Sequence, residues 1–284
     1  MRDEYEAIAR QWKGRGDMLR IAADLERRGR DLSRALPADL QLHDQLHAGL
    51  LEATELWADW IGNLRDRTVL DAGAGLGGTA RHLAAERGAR VDALELLPEL
   101  SRAGEELTRR AGLSNRVRHL PGAIEELESK RRYDVICIQH VDIQLADKPL
   151  LYRRCCELLG DGGRVVWHDW LAGGAGPPRY PLFWSSDGAA SHLVEKPRFE
   201  QLLSGAGLRL GRFEEMSERT VAWFSGSQSV LRKVIGRLEE SGDDGRLERL
   251  RGLLAEVENA LWGMAEGRLL PFFGEAVAAP RDLC

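Results

Sequence analysis

The chain has 284 residues, a formal net charge of −5 and 30% charged residues, which suffices for one core domain and an accessory element. No apolar run approaches the length of a membrane span, and basic residues are spread among acidic ones instead of forming a nucleic-acid footprint. The charged N-terminus lacks an apolar signal region, so we expect a cytoplasmic protein with no membrane and no nucleic-acid partner.

Residues 1–66 carry apolar side chains at helical spacing, which predicts an N-terminal helical cap. Tyr5, Ile8 and Trp12 share one helical face near the start of this region. Pro37 interrupts the pattern, and a second helical segment is predicted for residues 49–64. We therefore expect the region to be helical throughout, apart from that break.

A glycine-rich segment follows the first predicted strand, residues 69–71. That strand ends in Asp71, and Gly73 and Gly75 belong to a run of glycines that lets the backbone turn tightly and approach a ligand closely. A helix is predicted from residue 79, and its free amides and positive dipole end would face the same ligand. The next strand ends at Glu95, where a carboxylate can accept two hydrogen bonds from a ribose diol.

The carboxylate before the glycines separates two classes of ligand. The spacing of Gly73, Gly75 and Gly78 also fits a dinucleotide fingerprint, which keeps a nicotinamide-dependent oxidoreductase as an alternative. Asp71 would repel a pyrophosphate and attract a cationic ligand that has no phosphate. S-adenosylmethionine, with its sulfonium and free amino acid end, is such a ligand. A tight strand–helix turn without a ligand is the other alternative.

Strands and helices alternate from residue 67 to residue 214, which predicts a doubly wound, mostly parallel α/β sheet as the ligand-binding core. The predicted strands are residues 69–71, 91–95, 117–120, 133–139, 163–170 and 208–213. Residues 135–138 are continuously apolar, as expected of a strand that is buried on both faces. Residues 160–163, Gly-Asp-Gly-Gly, are predicted to form a turn before the fifth strand.

Residues 171–192 form a long loop rich in Gly and Pro, with aromatic residues between them. The loop leaves the end of a strand, where open α/β sheets bind ligands, and we interpret it as a substrate lid. Tyr180, Trp184 and Trp223 are candidates for an aromatic cage around an ammonium group, which cation–π attraction would stabilise. Packing of these aromatic residues onto the core is the alternative.

The C-terminal part of the chain is predicted to be mostly helical. Apolar residues repeat at helical spacing across residues 215–270, which predicts a helical insertion. Residues 271–284 would supply the last core strand and a tail. The insertion would then separate the sixth strand from the seventh.

These motifs resemble those of class I S-adenosylmethionine-dependent methyltransferases. The resemblance rests on VLDAGAGLGG, VDALEL, YDVICIQHV and LLGDGGRVVWHDW. An upstream segment, LHDQLHAG from residue 42, is similar to the small-molecule branch that includes sarcosine and dimethylglycine N-methyltransferases. The resemblance implies a seven-stranded Rossmann-like sheet, S-adenosylmethionine as cofactor, and a small-molecule methyl acceptor that reacts at an amine nitrogen.

The resemblance also implies which residues hold the cofactor. It places Asp71, Gly73 and Gly75 against the methionine end of S-adenosylmethionine. Glu95 is expected to bind the ribose hydroxyls, and Leu96 is expected to pack against the adenine.

Position 123 departs from the family pattern. Ala123 stands where the family commonly has an acidic residue for the adenine amino group, so the backbone and Ile124 would supply the pocket, with Glu125 as a weaker candidate. Arg81, in the first core helix, is interpreted as a surface residue. The remaining predicted cofactor contacts are Gln139, Gln45 and His47.

Two pairs of histidine and aspartate follow the fourth strand and end the fifth. His140 is a candidate to orient the substrate or to accept its proton, and Asp142 is a candidate to hold a cationic amine. His168 is a second candidate proton acceptor, and Asp169 would orient it or bind the substrate. Because alternate residues of a strand face opposite sides, we expect one of His168 and Asp169 to act, not both. The spacings match no metal-ligand pattern, so no metal is expected.

The residues leave the methyl acceptor open. O- or C-methylation in a secondary-metabolite pathway is the alternative within the same class. A cofactor-binding partner without catalysis is a further alternative, at which only Ala123 hints. A homodimer is also compatible with the sequence.

Overall fold

A computed structural model describes residues 2–32, 37–128, 130–241 and 244–279. Within them a seven-stranded sheet has the order β3-β2-β1-β4-β5-β7-β6. Neighbouring strands from β3 to β5 are parallel, and β7 is antiparallel to both β5 and β6. The predicted doubly wound, mostly parallel fold is confirmed. The strands are β1 Thr68–Ala72, β2 Arg90–Glu95, β3 Val117–Pro121, β4 Tyr133–Gln139, β5 Leu159–Ala172, β6 Leu208–Glu215 and β7 Leu269–Ala278.

Helices cover both faces of this sheet and one of its edges. Two of them, α9 and α10, lie between β6 and β7, where the sequence predicts a helical insertion. No helix of the described ranges is long and apolar enough to cross a membrane. The helices are α1 Arg2–Trp12, α2 Met18–Arg27, α3 Pro37–Asp44, α4 Leu50–Ile61, α5 Gly78–Arg87, α6 Pro98–Arg110, α7 Lys148–Leu158, α8 Lys196–Gly205, α9 Ser217–Ser241 and α10 Asp244–Ala265.

The region of residues 1–66 is mostly helical in its described part, as predicted, but it has more breaks than the one expected at Pro37, because it consists of the separate helices α1 to α4. Gly14 has a φ of 74° after α1, and Asp17 then caps α2 by accepting the amides of Leu19 and Arg20. The helix predicted for residues 49–64 is Leu50–Ile61. Gly49 and Gly62, with φ of 74° and 83°, bound it.

Residues 160–163, where a turn is predicted, lie within the bounds of β5 but pair with neither neighbouring strand, and Gly162 has a φ of 70°. That strand begins at Leu159, directly after α7, and runs to Ala172. Its register against β4 shifts between Tyr133 and Val135. The glycines therefore accommodate an irregularity inside the strand pair.

The N-terminal helical cap covers the carboxyl ends of the parallel strands. Ile8 of α1 belongs to the same buried cluster as Leu94 of β2 and Ile138 of β4. The helices α2 and α3 pack on Leu76 and α6, and Trp57 of α4 is fully buried on the other side of the sheet. The edge at which the glycine segment ends β1 is thus covered by residues from the start of the chain.

The long loop packs onto the core instead of standing free. Residues 173–195 contribute Leu182 and Trp184, both fully buried, to a cluster with Trp170 of β5 and with α9 and α10. The loop is tied by Trp184 Nε1, which donates to Ser191 Oγ at 2.9 Å. It forms a wall between β5 and the helical insertion.

Candidate active site

The glycine segment between β1 and α5 is shaped so that larger residues would not fit. Gly73, Gly75 and Gly77 have φ of 79°, 55° and 75°, which only glycine adopts without strain. A Cβ on Gly73 would lie 2.3 Å from Val141 Cγ2, and one on Gly78 would lie 2.5 Å from the carbonyl oxygen of Asp44. The segment therefore fits tightly between β4 and the cap.

Glu95, at the end of β2, accepts hydrogen bonds with both carboxylate oxygens, and one of these bonds comes from the glycine segment. Oε2 accepts the amide of Gly75 and Oε1 accepts the amide of Leu97, each at 2.8 Å. Burial raises the pKa of Glu95, and the two amides oppose that shift. A carboxylate offers about four lone pairs, so Glu95 retains acceptor capacity for two hydroxyl groups.

Asp71, at the end of β1, is buried with one oxygen unsatisfied. Its Oδ1 accepts from the thiol of Cys137 at 3.4 Å, while Oδ2 has no hydrogen-bond partner in the described chain. Burial raises the pKa of Asp71 to about 7. An orphan carboxylate oxygen beside a glycine segment fits a cationic group. Cys137, which pairs with Asp71 from the neighbouring strand β4, is thus a neighbour of the site.

These residues open into a cavity of about 990 Å³, counting the space at its mouth. Of the predicted cofactor residues, only Gln45 is not part of its lining. The cavity is lined by Asp71, Gly73, Gly75, Glu95, Leu96, Ala123, Ile124, Gln139 and His47, together with His140.

Helix α1 contributes cavity residues that sequence reasoning missed. Tyr5, Ile8 and Trp12 line the cavity. Tyr5 Oη donates to Glu125 Oε2 at 3.3 Å, and Trp12 Nε1 donates to Gln144 Oε1 at 3.2 Å. Their common helical face was visible in the sequence, but the surface that it covers was not.

The interpretation of Arg81 as a surface residue is wrong. Its side chain is fully buried, and Nη2 lies 2.6 Å from Asp44 Oδ2. Nη1 donates to the carbonyl oxygens of Leu76 and Gly104. Arg81 therefore ties α3 of the cap to α5, directly behind the glycine segment.

Gln45 belongs to a polar network beneath the cavity. Its Oε1 accepts from Thr79 Oγ1 at 3.2 Å and lies 2.8 Å from His47 Nε2. Gln139 Nε2 donates to the same Thr79 at 2.8 Å, and Trp57 Nε1 donates to Gln139 Oε1 at 2.9 Å. The predicted contacts Gln45, Gln139 and His47 are therefore joined through Thr79, at the start of α5.

Three histidine rings meet beside this network, and two of them, His47 and His140, line the cavity. Ring centroids lie 4.9 Å apart for His140 and His168, 5.2 Å for His47 and His168, and 6.1 Å for His47 and His140. Burial lowers the pKa of His47 to about 4 and lowers those of His140 and His168 well below the ordinary value. The three rings are therefore neutral near pH 7. His168 does not line the cavity, and both of its ring nitrogens lack a partner in the described chain.

The two aspartates are already engaged. Asp142 Oδ1 lies 2.7 Å from Lys148 Nζ, and Oδ2 accepts from Tyr152 Oη at 2.6 Å. Asp169 accepts the backbone amides of Val141, Asp142 and Trp170. Neither carboxylate lines the cavity. The expectation that Asp142 holds a cationic amine does not match this geometry, because its charge is neutralised by a buried lysine.

The aromatic cage considered from the sequence is not assembled at the cavity. Trp184 is buried beneath Trp170, at a centroid distance of 5.5 Å. Trp223 donates from Nε1 to Glu52 Oε2 and packs on Gly49. None of the proposed cage residues lines the cavity. Within the described residues, no group of three or more His, Cys, Asp or Glu side chains is arranged to hold a metal ion.

The site and the fold have counterparts among known proteins. A family model described as a methyltransferase domain matches residues 41–211, more than half of the chain. The chain is 30% identical over 102 residues to the sarcosine/dimethylglycine N-methyltransferase of Aphanothece halophytica, covering 36% of this chain. It is 28% identical over 213 residues to the glycine/sarcosine/dimethylglycine N-methyltransferase of Actinopolyspora halophila, covering 70% of this chain. The chain spans 37% of the length of each of these curated relatives.

A solved structure of similar fold extends over most of the chain. It is a candidate sarcosine dimethylglycine methyltransferase from Galdieria sulphuraria, with a TM-score of 0.65 and 21% identity over 80% of this chain and 84% of that one. The fold and the glycine-rich site define a class I methyltransferase, for which S-adenosylmethionine is the cofactor. This chain belongs to the methyltransferase domain family.

Proposed function

We propose that the protein transfers a methyl group from S-adenosylmethionine to the nitrogen of a small-molecule amine. The observation that carries this proposal is one cavity that joins an orphan carboxylate oxygen on Asp71 to His140 and His47. The Asp71 oxygen would attract the cationic end of the cofactor. The two histidines would face the methyl acceptor. When bound, S-adenosylmethionine supplies an electrophilic methyl group, and the protein has to position the acceptor and exclude water.

The cofactor residues are proposed on the basis of their geometry. Asp71 would hold the methionine end where Gly73 and Gly75 let the backbone approach it closely, and the remaining lone pairs of Glu95 would accept the ribose hydroxyls. Leu96 and Ile124, both in the cavity wall, would pack against the adenine.

Glu125 is proposed to replace the acidic residue that is missing at position 123. Ala123 has no polar side chain, but Glu125 lines the same cavity two residues later. Tyr5 Oη donates to Glu125 Oε2 at 3.3 Å, which would orient the carboxylate. We propose that Glu125 accepts a hydrogen bond from the adenine amino group. Helix α1 would then cover the bound nucleoside.

The neutral histidines favour a methyl acceptor whose amine nitrogen is uncharged. An ammonium group has no lone pair, so only the neutral amine can attack the methyl carbon. A buried cavity without a free carboxylate at the acceptor end lowers the pKa of an amine that enters it. The nitrogen would form its new bond to carbon as the carbon–sulfur bond breaks, and the methylated ammonium would lose any remaining proton on release. His140 and His168 are the candidates to contact the acceptor or to take that proton.

The relatives support nitrogen as the accepting atom. The two curated relatives described above are named as N-methyltransferases of glycine, sarcosine or dimethylglycine. Their match covers 37% of their own length, so the acceptor itself has to be identified by experiment.

A labelled-methyl assay tests this function. The purified protein would be incubated with radiolabelled S-adenosylmethionine and matched pairs of small molecules that differ only in carrying an amine or a hydroxyl. We expect label in the amine products. Label only in hydroxyl or carbon products would replace N-methylation with the O- or C-methylation alternative. Binding of S-adenosylhomocysteine with no labelled product from these pairs or from a metabolite extract would contradict catalysis altogether.

A further inference from the structure

The indole of Trp170 makes a direct contact with the imidazole of His140. Trp170 Nε1 lies 3.1 Å from His140 Nε2, and the two ring centroids are 5.9 Å apart. An indole N–H can only donate a hydrogen bond. His140 Nε2 must therefore be an unprotonated acceptor. The backbone amide of Ala48, a second donor, lies 3.5 Å from the same nitrogen.

Only one nitrogen of the neutral His140 ring can then carry the proton. A neutral imidazole carries one N–H, and since Nε2 is an acceptor, the proton is on Nδ1. Nδ1 makes no hydrogen bond to any residue of the described chain. The titratable neighbours of the ring are His47 from the loop before α4 and His168 from β5, both with lowered pKa values. Neither offers a negative charge that would favour an imidazolium.

The backbone also fixes the direction of the His140 ring. His140 has a φ of 53°, and its amide donates to the carbonyl oxygen of His168 at 2.9 Å. The next two amides donate to Asp169 Oδ2 at 3.0 and 2.9 Å. Trp170 itself is stacked on Phe224 with an interplanar angle of 9°. The positions of His140 and Trp170 are thus set by contacts with β5 and α9 as well as by the contact between the two rings.

We propose that Trp170 is a positioning residue that locks His140 in the Nδ1–H tautomer, so that His140 donates a hydrogen bond to the ligand in the cavity and does not act as its base. The sequence left open whether His140 orients the substrate or accepts its proton, and the indole contact selects the first role. The part that concerns the substrate rests on the proposed methyl transfer. The tautomer itself does not. The ligand group recognised by His140 would be a hydrogen-bond acceptor, such as a carboxylate or carbonyl oxygen.

The tautomer can be read directly by nuclear magnetic resonance. The full-length protein would be labelled with ¹⁵N-histidine, and the His140 signals identified as those lost in His140→Asn. We expect a protonated Nδ1 and an unprotonated Nε2 from pH 6 to pH 8 in the wild type. In Trp170→Phe we expect this preference to weaken, because only the more distant Ala48 amide still donates to Nε2, while in Phe224→Leu, which keeps the indole donor, it should remain.

The wild-type spectrum decides the tautomer even if Trp170→Phe does not fold. A proton on Nε2 in the wild type would overturn the proposal, and so would an unchanged tautomer in a folded Trp170→Phe. Because this measurement needs no substrate, it separates the lock from the proposed function. If no amine is methylated, the proposed N-methylation is wrong, but the tautomer measured by nuclear magnetic resonance is unaffected.

A kinetic comparison tests the role in turnover. Asparagine tolerates a positive φ, and its side-chain N–H lies close to where Nδ1–H stands. We therefore expect His140→Asn to recover most of the kcat that His140→Ala loses, staying within about tenfold of the wild type. Loss of a general base costs roughly 10²–10⁴-fold. Equal losses of that size in both variants would overturn the donor role.

Discussion

At the glycine segment, the cofactor end of the site, the chain pairs the charges of Glu95 and Arg81 and leaves Asp71 Oδ2 unpaired, whereas at the histidine cluster, the histidine end, both ring nitrogens of His168 are unpaired in the described chain. Glu95 accepts two amides from the glycine segment and from the start of α6, and Arg81 is buried against Asp44 with further carbonyl partners. His168, in contrast, has two buried ring nitrogens without partners. The first region is built for stability and for a fixed ligand. The second keeps polar groups available.

The largest expected effect on stability is at the cofactor end. Arg81→Met should lower the free energy of unfolding by about 3–5 kcal/mol, because it leaves the Asp44 carboxylate buried and uncompensated. The matched control is Arg87→Met, on the same helix. Arg87 pairs with Glu55 and Asp59 near the surface, where such pairs contribute about 0–1 kcal/mol. Urea unfolding of both variants measures the difference, and equal losses would mean that burial of the Asp44 pair is unimportant.

The tight fit of the glycine segment predicts a smaller loss. Gly78→Ala would place a Cβ 2.5 Å from the Asp44 carbonyl oxygen, so we expect it to cost about 1–3 kcal/mol and to weaken binding of S-adenosylhomocysteine. Gly226→Ala is the matched control, because it is also helical and its Cβ would meet no atom within 4 Å. That variant should gain up to about 1 kcal/mol. Calorimetric titration would measure cofactor affinity, and a tight-binding Gly78→Ala would contradict the packing argument.

The histidine end predicts the smallest change, with the opposite sign. His168→Phe removes two unsatisfied buried nitrogens and keeps a ring against Phe273, so the free energy of unfolding should stay the same or rise by about 1 kcal/mol. If His168 serves the reaction, kcat falls in the same variant. A loss of stability as large as that of Arg81→Met would remove the contrast between the two ends.

The pH dependence of stability has a definite sign at this histidine. Burial lowers the pKa of His168 below that of the unfolded chain, so the unfolded state binds more protons as the pH falls below about 6.5. The wild type should therefore lose stability as the pH falls from 6.5, and His168→Phe should lose less. Thermal unfolding at pH 7 and pH 5 measures the difference between the two proteins.

The cofactor end and the histidine end of the site also differ in how well the sequence predicts them. The glycine segment, Asp71 and Glu95 lie within one strand–helix–strand unit, so their spacing alone predicts that they meet. The fold followed from the same alternation of strands and helices, although β5 continues beyond the predicted residue 170 to Ala172, where it pairs with Leu269 of β7.

The features that were missed depend on contacts between distant segments. Arg81 meets Asp44 from a different helix, and a charged residue on a short helix usually lies at the surface. The neutralisation of Asp142 by Lys148 and Tyr152 depends on how α7 packs behind the turn after β4. The histidine cluster combines a loop of the cap with the ends of β4 and β5. No local pattern encodes these encounters.

The central claim is that Asp71 recognises a cationic cofactor through its charge. Burial raises the pKa of Asp71 to about 7, so the carboxylate ionises as the pH rises from 6 to 8 and should then bind S-adenosylmethionine more tightly. Calorimetric titration of the wild type and of Asp71→Asn at pH 6, 7 and 8 tests this, and the ratio of their affinities removes the ligand's own titration. We predict that the ratio rises roughly tenfold over this range. A constant ratio, or tighter binding of NADH than of S-adenosylmethionine, would contradict the account.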